Sequence, residues 1–256
     1  MIFDTHAHYD DEQFDTDREE LLNSMEDEGV GHIINAASSY ASVKRCVELG
    51  RKYSFVYGSV GIHPDELEGL TEETYQQLYP YFEDEKIVAV GEIGLDYYWD
   101  TMPRDVQKKW FIRQLDEARK RNLPVLIHSR DAAEDTLQVI KEHGRGLKGV
   151  MHSFSYSKEM AREYVKLGFF LGIGGVVTFK NGKKMKEVVV DTPIEHLLLE
   201  TDAPYLTPEP FRGKRNSSVY LKYVVQEIAS LKGLSCEEVI RITEENARKL
   251  IGRENE

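Results

Sequence analysis

A TIM-type (β/α)8 barrel follows from three features of this sequence. The chain has 256 residues, the size at which such a barrel forms one domain. Eight short apolar runs alternate with longer amphipathic stretches, the order of strand and helix that builds a parallel sheet. Potential metal ligands stand at the C-terminal ends of five of those runs, where barrel active sites assemble. A single domain over residues 1–256 is expected, with extra C-terminal helices. The alternative, an open doubly wound sheet, calls for a glycine-rich turn after an early strand. Thr5-His-Ala-His-Tyr has no glycine there.

The runs are Ile2–Thr5, His32–Ala36, Phe55–Gly61, Ile87–Ile93, Pro124–His128, Gly149–His152, Phe169–Gly174 and Leu197–Thr201. Each is nearly continuously apolar, as strands buried on both faces are. Helices are expected between them. Asp17–Glu28 follows a Thr16 or Asp15 cap signal, Ala41–Lys52 comes second, and Thr71–Phe82 opens with Thr71-Glu-Glu-Thr. Arg104–Arg121, Ala132–His143, Ser157–Leu167 and the weaker Lys183–Val190 continue the alternation. After the eighth run come Val219–Lys232 and Ser235–Leu250, the latter opened by Ser235-Cys-Glu-Glu, close to a capping box.

Hydrophobic residues make up 41% and charged residues 30%, which excludes disordered, collagen-like and coiled-coil classes. The formal net charge is −12, so a protein that coats duplex DNA electrostatically is disfavoured. An enzyme drawing one strand end into a local cationic pocket is not. The acidic stretches Asp10–Glu28, Glu66–Glu85 and Glu237–Glu256 read as solvated helix faces and a charged tail. Cys46 and Cys236 lack CxxC spacing, so free thiols are expected rather than a disulfide or a thiolate zinc site. Met1 leads straight into Ile-Phe-Asp-Thr-His, and the uncharged stretch Leu167–Phe179 is short and broken by four glycines. A cytoplasmic protein with no membrane span is expected.

His6 and His8 end the first run as His-Ala-His, and residues i and i+2 of a strand point to one side. Glu92 ends the fourth run, His128 the fifth and His152 the sixth, and Asp202 follows the eighth. Taken singly, a histidine at a strand end is usually a hydrogen-bonded structural residue, as His32, His143 and His196 are expected to be. Six such positions at one end of five strands are a different matter. They supply the N and O donors of two divalent ions while leaving positions open for water and substrate.

Phe3-Asp-Thr-His-Ala-His, Pro124-Val-Leu-Ile-His-Ser-Arg and Leu198-Leu-Glu-Thr-Asp-Ala-Pro resemble the three signatures of TatD-type metal-dependent hydrolases, a branch of the amidohydrolase superfamily. Gly91-Glu-Ile-Gly-Leu-Asp-Tyr and Gly61-Ile-His-Pro also look like family blocks, and the likeness runs from Met1 to about Ile251. The resemblance implies deoxyribonuclease activity, notably 3′-to-5′ exonuclease action on single-stranded DNA. It also implies that His6, His8 and Asp202 hold one metal, that His128 and His152 hold a second, and that Glu92 bridges the two. Imidazole-rich ligation suits Zn or Mn better than Mg, although the family's nucleases are usually described with Mg. One departure stands in the loop Arg212-Gly-Lys-Arg-Asn216, which relatives often continue with Glu-Pro and this chain continues with Ser217-Ser218.

The expected chemistry is phosphodiester hydrolysis, with Glu92 holding the metal pair and Asp202 accepting the proton of the attacking water. His63 is a candidate donor to phosphate oxygen, and Arg130, Lys214 and Arg215 are candidate phosphate contacts. Tyr205 is placed at the pocket rim. Tyr97, Tyr98 and Trp99 are candidates for stacking on bases, or for packing as a lid. Two other readings compete. A small-molecule amidohydrolase or esterase would use the same barrel, but the bridging lysine common in that wider group is replaced by Glu92. A non-enzymatic protein with structural metals fits poorly, because structural sites are usually closed four-ligand sets. No obligate protein partner is expected.

Overall fold

The computed structural model describes residues 1–254. Residues 255–256, which end the expected acidic tail and the expected domain, lie outside the described residues. Eight strands are hydrogen-bonded in chain order in one sheet. They are β1 (Ile2–Ala7), β2 (Val30–Asn35), β3 (Val56–Val60), β4 (Ile87–Asp96), β5 (Val125–Arg130), β6 (Gly149–Met151), β7 (Phe170–Ile173) and β8 (Leu197–Leu199). Ala7 also bridges Ala203, just past β8, in parallel. With helices alternating along the chain, this is the TIM-type (β/α)8 topology that the apolar runs predicted.

Two compact units make up the chain. The first, Met1–Asn35 with His152–Glu256, carries β1, β2, β7 and β8. Its helices are α1 (Arg18–Asn23), α6 (Lys158–Lys166), α7 (Lys183–Asp191), α8 (Leu221–Lys232) and α9 (Cys236–Ile251). Phe3, Ile33, Leu171, Leu198, Ile228 and Val239 are buried in it, each side chain contributing about 1.5–3 kcal/mol of hydrophobic stabilisation. The box at Ser235 forms as expected: Ser235 Oγ accepts from Glu238 N at 3.1 Å, and Glu238 Oε2 accepts from Ser235 N at 2.9 Å. α8 follows β8 and completes the alternation, so one extra C-terminal helix, α9, is present where more than one was expected.

The second unit, Ala36–Met151, carries β3 to β6 and the helices α2 (Tyr40–Lys52), α3 (Glu72–Gln76), α4 (Arg104–Arg121) and α5 (Ala133–His143). Its strands pair in parallel, with Gly94 of β4 opposite His128 of β5. The backbones approach so closely that a Cβ on Gly94 would lie 1.9 Å from the His128 carbonyl oxygen, and φ there is +149°. Only glycine fits.

Three elements depart from the expectations by three residues or more. Asp17–Glu28 is helical only over Arg18–Asn23 and continues as hydrogen-bonded turns. Thr71–Phe82 breaks into α3 and a 3-10 segment, Tyr79–Glu83, because Pro80 has no N–H to continue the ladder. β4 runs to Asp96, three residues past its expected end, and so brings Asp96 onto the sheet. Cys46 and Cys236 are free thiols. No described helix is long and apolar enough to cross a membrane.

α4 lies against β4 with a buried face that includes Gln107, Trp110, Phe111, Gln114 and Leu115. Its buried Glu117 accepts from Arg113 Nη1 at 2.9 Å and from Arg121 Nε at 2.8 Å. Burial opposes the charge, but the two guanidiniums outweigh it and hold the carboxyl below its ordinary range. A depressed native pKa adds stability that is present above the unfolded value and is lost as pH falls through the native one. Glu117→Gln is therefore expected to cost about 2–4 kcal/mol at pH 7. Urea unfolding should show the deficit shrinking toward zero in acid.

Candidate metal centre

In the first unit, β1 delivers His6 and, one residue past its end, His8. Asn35 at the end of β2 braces the turn that follows: its Oδ1 accepts from Tyr9 N at 2.5 Å, and its Nδ2 donates to Asp10 Oδ1 at 2.7 Å. His6 Nε2 and His8 Nε2 face each other at 3.2 Å. The His6 ring stacks on that of His152, with centroids 3.5 Å apart. Asp202 Oδ1 lies 3.4 Å from His8 Nε2 and 3.5 Å from His152 Nε2. Ligand atoms of His6, His152 and Asp202 fall within 4.8 Å of one another. Burial works against the Asp202 charge, but His152, His8 and His6 outweigh it and hold its carboxyl below the ordinary range.

This geometry is held from beneath by Asp4, buried within β1. Its Oδ1 accepts from His6 N at 3.2 Å and Thr201 N at 3.1 Å. Its Oδ2 accepts from Thr201 Oγ1 at 2.7 Å and Ser218 Oγ at 2.6 Å. Burial raises the Asp4 carboxyl to about 7 against the pull of those donors. Asp202 N in turn donates to His6 O at 2.9 Å. Asn216 ties down the segment after Asp202, donating through Nδ2 to Thr201 O at 2.9 Å and Tyr205 O at 2.7 Å. Ser217 and Ser218 are buried, and Ser218 belongs to the bracing under β1.

Glu200 fills a second buried position. Its Oε1 accepts from Ser153 N at 2.5 Å and lies 3.3 Å from His152 Nδ1. A Cβ on Gly172 would meet its Oε2 at 2.0 Å, so the carboxyl occupies space that only glycine leaves. Ser153 and Asp202 both adopt left-handed φ, +44° and +56°. Such backbone costs about 1–3 kcal/mol per residue and persists where surrounding bonds impose it. Here those bonds come from Glu200 and from the His6 carbonyl.

The second unit holds Glu92, His128 and His63, whose ligand atoms also lie within 4.8 Å of one another. His128 Nδ1 is 2.9 Å from Glu92 Oε1, and its Nε2 is 2.9 Å from Asp96 Oδ2. Burial disfavours the imidazolium, but the hydrogen bonds and charges of Asp96 and Glu92 prevail and push His128 up to about 9. His63 Nδ1 accepts from Asp65 N at 3.2 Å. That bond leaves the proton of neutral His63 on Nε2, which points toward Glu92 Oε1 at 3.8 Å. His63 is therefore set up as a donor. Two buried glutamines seven residues apart on α4, and so on one face, align this group. Gln107 Oε1 accepts from Asp96 N at 2.8 Å, and Gln114 clasps both backbone groups of Ile62 at 2.8 and 3.0 Å.

The remaining sequence candidates sit outside these clusters. Arg130 ends β5 with its guanidinium over the Tyr98 ring at 3.8 Å. Tyr205 is exposed, and its hydroxyl donates to Asp11 Oδ2 at 3.3 Å. Lys214 is exposed over Phe211, whereas Arg215 is engaged by Asp17 through two bonds of 2.9 and 2.5 Å. Sequence reasoning missed Asp4, Asp96, Glu200, Gln107 and Gln114. Asp4 and Glu200 left a signal, an acid inside an apolar run.

The clusters offer imidazole nitrogens and carboxylate oxygens converging within ligand distance, a donor set that fits divalent cations. They form a candidate metal centre on a barrel. Residues 3–252 match the family described as TatD related DNase, and the chain belongs to it. It is 47% identical to the metal-dependent hydrolase YabD of Bacillus subtilis, with 98% of each chain covered. The crystal structure of the TatD homologue YjjV from Escherichia coli K12 superposes with a TM-score of 0.92 at 32% identity, covering 98% of both chains. A lactonase mutant from Deinococcus radiodurans shares the fold alone, at 12% identity and a TM-score of 0.64, over 98% of this chain and 95% of that one.

Asp4→Asn puts an amide N–H where the carboxylate meets two hydroxyl groups. Isothermal titration of the purified variant with Mn²⁺ or Zn²⁺ is expected to show affinity reduced about 10- to 100-fold, as outer-shell substitutions typically do. Unchanged affinity would mean that Asp4 does not organise the ligands.

Proposed function

We propose that this hydrolase cleaves phosphodiester bonds of single-stranded DNA from a 3′ end, using two divalent cations. The observation that carries the reading is the pair of imidazole–carboxylate clusters at strand ends in a TatD-family chain. In this reading His6, His8 and Asp202 hold one cation, His128 and His152 hold the other, and Glu92 serves both. When bound, the cations supply Lewis acidity, acidifying a water molecule and offsetting charge on the phosphate.

The chain's own groups do the rest. The Asp202 carboxylate, kept ionised by its imidazole neighbours, accepts the proton of the attacking water. His63 Nε2–H donates to a phosphate oxygen. Lys214 and Arg130 supply positive charge to the strand, Arg215 orders the loop that carries Lys214 through its pair with Asp17, and Tyr205 borders the entrance. Among the cations, Zn and Mn suit the nitrogen donors and Mg suits the carboxylates.

Purified, metal-loaded protein is expected to degrade a 3′-labelled single strand and to stop when a chelator is added. Glu92→Ala and Asp202→Ala should each lower the rate at least about 100-fold while circular dichroism stays unchanged. If the protein leaves DNA intact but opens a lactone or cleaves an amide, the reading is wrong. Lys214→Ala should leave the saturated rate in place and lower the log–log salt slope of binding by about 0.7, one single-strand phosphate contact. An unchanged slope would remove Lys214 from the substrate path.

A further inference from the structure

The loop between β4 and α4 presents two large aromatic rings to solvent. Tyr98 is 54% exposed and Trp99 is 60% exposed, and they meet edge to face with centroids 5.1 Å apart. Their neighbour Tyr97 shows what a structural aromatic looks like here. Its hydroxyl donates to Asp135 Oδ2 at 2.7 Å, and Arg104 covers its ring at 4.1 Å. Tyr98 and Trp99 are more than half exposed instead. Arg130 lies 3.8 Å from the Tyr98 centroid and 5.6 Å from that of Trp99.

The rings are exposed but firmly placed. Asp96 Oδ1 accepts from Tyr98 N at 2.9 Å and Trp99 N at 3.0 Å, while its Oδ2 meets His128 Nε2 at 2.9 Å. Gln107 Nε2 donates to Asp96 O and Met102 O, both at 2.9 Å, and so pins both ends of the loop. Thr101 Oγ1 donates to Asp65 Oδ1 at 2.7 Å. Tyr97 N donates to Arg130 O at 2.9 Å, which fixes Arg130 beside the loop. Arg130 stands two residues beyond His128 on β5, and therefore on the same side of the strand. No carboxylate among the described residues pairs with its guanidinium.

We propose that Tyr98, Trp99 and Arg130 form a preformed stacking platform for a nucleobase of single-stranded DNA, the base next to the phosphate presented at His128. The proposal rests on the phosphodiesterase reading above and adds the part of the substrate that is held. A flat π-face accepts any base, so the platform grips unpaired strands without reading sequence. The guanidinium adds a cation–π contact on one side and a charge for the flanking phosphate. Because the loop is fixed before binding, little entropy is lost when the base arrives. A duplex end, whose bases already stack on each other, gains nothing from it.

The test uses metal-loaded protein and a cleavage-resistant phosphorothioate oligothymidylate, read by tryptophan emission. The chain has two tryptophans, and the other, Trp110, is buried, so quenching reports on Trp99. The oligonucleotide is expected to quench emission saturably, and an abasic strand of equal length and linkage is expected not to. Trp99→Phe should abolish the quenching. Read by fluorescence anisotropy of a dye-labelled strand, Trp99→Ala and Tyr98→Ala should each weaken oligothymidylate binding about tenfold to a hundredfold, leaving abasic affinity unchanged. Equal quenching by the abasic strand, or alanine variants that bind like the parent, would overturn the platform. Cleavage of DNA with unaltered binding in those variants would sink the platform and leave the nuclease reading standing. Base-dependent quenching in a protein that cleaves no DNA would do the reverse.

Discussion

The first unit's cluster depends on one buried carboxylate. Asp4 lies inside β1 with no cation paired to it among the described residues, and an isolated ionised group in such a place costs several kcal/mol. Four donors meet its two oxygens, from His6, Thr201 and Ser218. His6 is itself a proposed metal ligand, Thr201 precedes the proposed ligand Asp202, and Ser218 joins them on the same carboxylate. Satisfying Asp4 therefore fixes β1 against the end of β8. The left-handed backbone of Asp202 is affordable because these bonds hold it.

The same logic recurs at each ligand. His128 is gripped by Glu92 and Asp96, and Asp96 is itself held by Gln107. His152 has Glu200 beside its Nδ1. Ser59 donates to the Gly91 carbonyl, and Glu92 N donates to Ala37 O at 2.6 Å, placing the backbone that carries Glu92. Supporting polar groups of this kind orient metal ligands and set which nitrogen offers its lone pair. Buried polar atoms that fold stability alone would not require are thus concentrated under the ligands.

Much of this was legible in the sequence. Strands buried on both faces leave apolar runs that can be read, and ligands placed at strand ends follow from that reading. Asp202 and His152 could be located because Leu197–Leu199 and Gly149–Met151 are short and sharply bounded. The supports were not legible, for a physical reason. Gln107 and Gln114 sit in a helix rich in charge, where a buried amide looks like any surface residue until its partner is known. Asp96 lies past the apolar part of β4, so its place on the sheet depends on pairing with β5, which no local pattern encodes. Ser217-Ser218 read as a departure from the family's loop, and both are buried, with Ser218 bonded to Asp4. Arg215 read as a candidate phosphate contact, and Asp17, nearly two hundred positions away in the chain, engages it.

In the proposed reading these residues hold divalent cations at the strand ends, and anomalous diffraction from crystals grown with Mn²⁺ or Zn²⁺ tests that reading. Anomalous peaks are expected within bonding distance of His6, His8 and Asp202 and of Glu92 and His128. Peaks confined to other parts of the molecule, with these side chains left unligated at saturating metal, would contradict it.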